Sequence, residues 1–134
     1  MELAEVRHTL GMEAFARRDY ENAADWLARL LPDISLVRGA PAGSLPPETP
    51  VEERRAYAMF CLGEACQRTN RWEQAAMAFE KLATPGARTE EVAVFELIRC
   101  YSKVGDRVRA RKAYDRLVER FSAGAYAREA RGLL

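Results

Sequence analysis

Nucleophilic or metal chemistry in this sequence would have to run through one histidine, His8, and three cysteines, Cys61, Cys66 and Cys100. Cys61 and Cys66 lie five residues apart on one expected helix, roughly 140° around its axis, so they neither chelate together nor bridge readily. The odd cysteine count has no metal-ligand spacing, and a lone histidine does not supply a zinc site. Small buried thiols in a reducing compartment are the expectation. A cysteine brought to His8 in space would be the one nucleophile–base arrangement. The competing reading of His8 is a solvent-facing or groove-lining imidazole. Phosphate chemistry has no cradle, because Gly11, Gly39, Gly43, Gly63 and Gly105 are scattered and none introduces a Gly-Lys-Ser/Thr run. The acidic pairs Glu52-Glu53 and Glu90-Glu91 each open an expected helix, where carboxylates favour the helix dipole. The chain is therefore read as non-enzymatic, with no cofactor and no metal.

Charge sets the next bound. Lys and Arg number 21 and Asp and Glu 20, a net charge of +1, unevenly spread as −3 over residues 1–50, −2 over 51–98 and +6 over 99–134. That basic third falls short of a dedicated nucleic-acid binder. Arg109, Lys112, Arg116 and Arg120 run along one face of the expected sixth helix, with Arg107 and Arg111 nearby. Asp115 and Glu119 interrupt the stripe, which reads as a solvated, salt-bridged outer face. The start, Met1-Glu2-Leu3-Ala4-Glu5, has no basic region followed by an apolar run, and no stretch is long enough to span a membrane. A cytoplasmic location is expected, or a periplasmic one if a leader has been removed.

The elements that position these side chains repeat. Leu10-Gly11 is followed by Ala23, Leu27 and Leu30 at the distances that separate Leu62-Gly63 from Ala75, Phe79 and Leu82. Leu97-Ile98 is followed in the same way by Ala110, Tyr114 and Leu117. A polar turn divides each unit: Arg18-Asp19-Tyr20, Asn70-Arg71-Trp72 and Gly105-Asp106-Arg107. Two amphipathic helices with small residues at their crossing form a hairpin, and such a hairpin must stack on copies of itself to bury its apolar face. Helices are expected at about 3–17, 20–31, 50–69, 72–83, 89–103, 106–120 and 124–133. Thr49-Pro50-Val51-Glu52 reads as a helix start in which Thr49 caps and Glu52 closes a capping box. A proline-rich insertion, 32–49, separates the first two repeats. It reads either as a disordered or covering loop or as a lid or docking element. Tyr126, Ala130, Leu133 and Leu134 form the apolar stripe of a closing helix.

These residues resemble the tetratricopeptide repeat family, whose unit carries Leu-Gly on its first helix and Ala with a spaced aromatic on its second. The middle unit matches best, through Met59, Leu62, Gly63, Cys66, Ala75 and Phe79, with Trp72 in the aromatic slot that Tyr20 fills in the first. The third unit has Ile98 in place of the glycine, and the first has Arg7 and Ala14 where the family prefers aromatics. The segment from Tyr114 to Ala130 also looks like the closing repeat of bacterial cell-envelope proteins, with Phe121-Ser122 for their Phe-Pro and without the lipoprotein cysteine. The resemblance implies an all-α, right-handed superhelix of about seven helices. It would be one domain over residues 1–134, with repeats at about 4–31, 54–85 and 91–121 and a capping helix at 122–134.

The same resemblance implies a concave groove lined by the first helices. His8, Met12 and Phe15 would come from the first unit and Tyr57, Phe60 and Arg68 from the second. Phe95, Arg99 and Lys103 would come from the third. Aromatics beside cations suit a protein segment with apolar and acidic residues. The competing reading packs Phe15, Phe60 and Phe95 between hairpins. The lysines and asparagines of family members that clamp a chaperone's C-terminal carboxylate are replaced here by His8, Met12, Cys61, Val92 and Glu96. The expected function is a non-catalytic adaptor or scaffold. The alternative is a structural or assembly subunit of a bacterial envelope or secretion complex, acting by self-association.

Overall fold

The 3.6-residue periodicity is realised as α-helix, with turns between the helices. A computed structural model describes residues 3–29, 48–121 and 124–134. These form α1 (Leu3–Ala16), α2 (Tyr20–Ala28), α3 (Val51–Arg68), α4 (Trp72–Leu82), α5 (Glu90–Val104), α6 (Arg107–Phe121) and α7 (Ala125–Arg131). No strand occurs among the described residues, so the all-α class stands. Most of the insertion expected at 32–49 lies outside them. The chain forms two compact units, Met1–Arg71 with α1 to α3 and Trp72–Leu134 with α4 to α7.

One turn is built three times. Arg18, Asn70 and Gly105 all adopt left-handed backbone, with φ of 62°, 62° and 79°. They stand seven residues after Gly11, Gly63 and Ile98 respectively. The next amide in each case donates back five residues: Asp19 to the Ala14 carbonyl at 2.9 Å, Arg71 to Cys66 at 2.7 Å and Asp106 to Tyr101 at 2.9 Å. This satisfies carbonyls that the helix end would otherwise orphan. Glycine adopts that conformation freely, whereas a non-glycine residue such as Arg18 is held there at about 1–2 kcal/mol. Aspartate then starts the following helix in two of the three cases. Asp19 Oδ1 accepts from the Asn22 amide at 3.3 Å and Asp106 Oδ1 from the Arg109 amide at 3.1 Å. Arg71 holds that position in the middle turn and instead donates to Asp25 and Glu21, at 2.8 and 2.9 Å.

The expected capping box at α3 does not form. Pro50 itself is the last non-helical residue (φ −57°, ψ 148°), which puts Thr49 one position too far out, and no side chain caps the helix. The Thr49 carbonyl accepts from Arg54 Nε at 2.9 Å instead.

In the first unit α2 packs on both α1 and α3. Gly11 lets the first pair close in, since a Cβ there would stand 2.6 Å from Leu27 Cγ and Cδ2. Leu27 is 1% exposed and Ala23 and Ala24 fully buried. In the second unit α5 is central, packed by α4, α6 and α7. Its Ala93, Val94, Ile98 and Cys100 are sealed from solvent, as are Ala75 and Phe79 of α4 and Leu117 of α6. Each large apolar side chain buried in this way contributes about 1.5–3 kcal/mol. The closing helix buries part of the expected stripe, with Ala127 added to it and Leu134 left out. Ala127 and Ala130 are buried, Tyr126 is half-buried and Leu134 is half-exposed.

Candidate functional site

The groove residues expected from the first unit divide between core and surface. His8 is fully buried and Met12 is 3% exposed, so neither lines a surface. His8 was expected to face solvent or the groove, but its position on α1 turns it toward the interior. Among the described residues neither imidazole nitrogen has a hydrogen-bond partner, nor does the Thr9 hydroxyl. Burial, reinforced by the Arg54 charge, holds the imidazole below its ordinary 6.5, in the neutral form. Phe15 is half-buried with its ring edge-on to Tyr20, centroids 5.6 Å apart. Tyr57 and Phe60 remain half-buried on α3. Arg68 bonds Glu64 at 3.2 Å and lays its guanidinium 4.9 Å from the Tyr20 ring centre.

In the second unit Phe95 belongs to the core, 7% exposed and 4.9 Å from the Tyr126 ring. Arg99 and Lys103 are exposed on α5. Arg99 bonds Glu96 at 3.0 Å, and Lys103 Nζ stands 5.7 Å from the Trp72 ring centre.

The basic stripe of α6 is only partly a solvated face. Glu90, at 1% exposure, accepts from the Gly86 amide at 2.8 Å, from Arg116 at 2.9 Å and from Arg120 at 3.0 Å, and Arg120 Nε forms an ion pair with it at 2.7 Å. The Gly86 amide, then the two guanidiniums, hold its carboxyl down at about 2. Arg116 also donates to the Ala83 carbonyl, so these two cations pin the start of α5 to α6. Sequence reasoning placed Glu90 at a helix dipole and could not see its partners, 26 and 30 residues away. Glu90 is saturated with donors and so is unavailable as a free base. Burial pushes the Cys61 thiol up to about 12 and the Cys66 thiol to about 11, which keeps both protonated at neutral pH.

Two concavities flank α6 within the second unit. The smaller, about 280 Å³, has Leu97 and Tyr101 as floor and Glu80, Arg109, Lys112 and Arg116 as rim. Tyr101 donates to Glu80 beneath it, and burial followed by that carboxylate raises the phenol above its ordinary 10.0. The larger, about 470 Å³, lies where the turn after α5 and the start of α6 meet Leu133 and Leu134. The sequence signal for it was weak: two closing leucines, and arginines read only as part of a stripe. Among the described residues no group of three or more His, Cys, Asp or Glu is placed to hold a metal ion, and no helix is long and apolar enough to cross a membrane. No protein-family model matches the chain, and neither does a curated protein or a solved structure.

Proposed function

We propose that the chain is a non-catalytic protein-interaction module of helical-hairpin repeats, of the kind that the tetratricopeptide resemblance implies. One observation carries the reading. The same left-handed turn, with the same backward hydrogen bond, recurs at Arg18, Asn70 and Gly105, each in the same register to a repeat position. Helical-hairpin repeats leave helix faces open to partners, and such faces bind extended or helical protein segments. The contacts proposed are, within the first unit, the half-buried Tyr57 and Phe60 of α3 and, within the second, the exposed Arg99 and Lys103 of α5, each unit offering its own face. Aromatics of that exposure anchor apolar side chains, and the cations orient acidic ones.

The test starts from a partner captured with the native chain, identified by mass spectrometry and then titrated in purified form. Phe60→Ala should weaken binding by about 2 kcal/mol, near 30-fold, and Arg99→Glu by a smaller factor. Circular dichroism establishes that each variant is folded. Lys112→Glu is the control, because Arg116 secures Glu90 and its reversal would disturb the fold. Binding that is unaffected by both Phe60→Ala and Arg99→Glu would overturn the reading.

A further inference from the structure

The 470 Å³ groove at the start of α6 is lined by Ser102, Arg107, Ala110, Arg111, Leu133 and Leu134, with Gly105 at its edge. Its floor is apolar: Ala110 is 2% exposed, while Leu134 keeps half of its surface open. Val104 and Val108, in the same turn region, are 38% and 68% exposed. Exposed aliphatic residues near one turn, with a half-exposed leucine in a concave lining, are what interaction surfaces leave uncovered.

The charged side chains that line this groove, those of Arg107 and Arg111, are both cationic. Arg107 is exposed, and its guanidinium has no ion-pair or hydrogen-bond partner among the described residues. Arg111 bonds Asp115 at 3.2 Å, but both side chains are about two-thirds exposed, so that pair is easily exchanged for another carboxylate. No acidic side chain lines the groove. The surrounding segment, 99–134, carries +6, which favours the approach of an anionic partner.

From this arrangement we infer that the groove binds a short peptide segment in which carboxylates alternate with aliphatic side chains. The aliphatic groups seat on Ala110, Leu133 and Leu134, and a carboxylate bridges Arg107 and Arg111 by charge-assisted hydrogen bonds. The volume suits one or two aliphatic side chains and the backbone between them. None of the proposed contacts, Tyr57, Phe60, Arg99 and Lys103, lines this groove, and the assignment does not depend on them.

The probe is a fluorescein-labelled, amidated hexapeptide of alternating glutamate and leucine, titrated with the full chain and followed by fluorescence anisotropy at low ionic strength. Two control peptides replace every glutamate with glutamine or every leucine with serine. Saturable binding of the first peptide is expected, with either control weaker by about tenfold or more. Arg107→Glu and Leu134→Ser, both at exposed positions that leave the fold intact, should each lower affinity by about fivefold or more, while Lys112→Glu stays within about twofold. Equal losses from Arg107→Glu and Lys112→Glu would mean diffuse attraction to a basic helix and would overturn the assignment. So would the absence of saturable binding. Light scattering that finds a wild-type dimer dispersed by Leu134→Ser would give the groove to a second copy and overturn the peptide as occupant.

Discussion

Replacing Gly11 with alanine should destabilise the first unit, although alanine is the better helix former. Gly11 lies inside α1, where Gly→Ala ordinarily returns about 1 kcal/mol through helix propensity. Here the new methyl would stand 2.6 Å from both Cγ and Cδ2 of Leu27 and 3.3 Å from Trp26 Cβ. The first two contacts are about 0.8 Å short of ordinary van der Waals separation. Leu27 is 1% exposed, so it has no solvent into which to rotate, and α1 and α2 must separate. Overpacking of this kind costs about 1–3 kcal/mol, and two contacts at one branched carbon place Gly11 near the upper end. After the propensity gain a net loss of about 1–2 kcal/mol remains. Leu27→Ala alone should cost about 2–5 kcal/mol, but in that background the methyl has room and Gly11→Ala should become stabilising by about 1 kcal/mol. Urea unfolding followed by far-ultraviolet circular dichroism measures all four proteins of this cycle. The sign of the Gly11 effect must invert between the two backgrounds. Stabilisation by Gly11→Ala in the wild type, or a coupling energy near zero, would refute the close approach of α1 and α2.

The turn predicts a gain: Arg18→Gly, at φ 62°, should raise stability by about 0.5–1 kcal/mol, less than the conformational strain because the unfolded chain also gains freedom. A thermal melt that is lowered by Arg18→Gly would contradict the left-handed assignment. Glu90 is held at about 2 against an ordinary 4.5, so the stability it contributes is complete above 4.5 and is lost as pH falls from there toward 2. Glu90→Gln should flatten the stability profile across that window, as read by unfolding midpoints at a series of pH values. His8 titrates below its ordinary 6.5 in the folded state, so its neutral form favours folding and stability should drop as pH falls below 6.5. His8→Leu removes two unsatisfied buried nitrogens and should stabilise by about 1 kcal/mol at neutral pH, and by more at pH 5. An unchanged pH profile in that variant would show that another group titrates there.

Much of the local structure was legible because its causes are local. Apolar spacing placed seven helices within about three residues of their observed ends. The shared repeat distances marked the three turns, and glycine or asparagine signalled two of them. Arg18 carried no such signal, and its left-handed backbone is imposed by the helices on either side. At Thr49-Pro50 the motif was present and the capping box still did not form, because a shift of one residue decides whether a side chain reaches an amide.

The order of the residues determined how often the hairpin pattern recurs and where the chain turns, since both depend on neighbours a few positions apart. It equally determined that a basic segment follows an acidic one. Which charges stay in solvent was decided by tertiary structure alone. Arg116 and Arg120 share a face with Lys112, yet α5 brings Glu90 beneath the first two and so draws them out of the stripe. His8 and Phe95 were read as groove candidates at the same helical spacing as exposed residues, and packing buried both. Periodicity tells which residues share a helix face. Whether that face meets water or another helix depends on what arrives from tens of residues away, and only the assembled core specifies it.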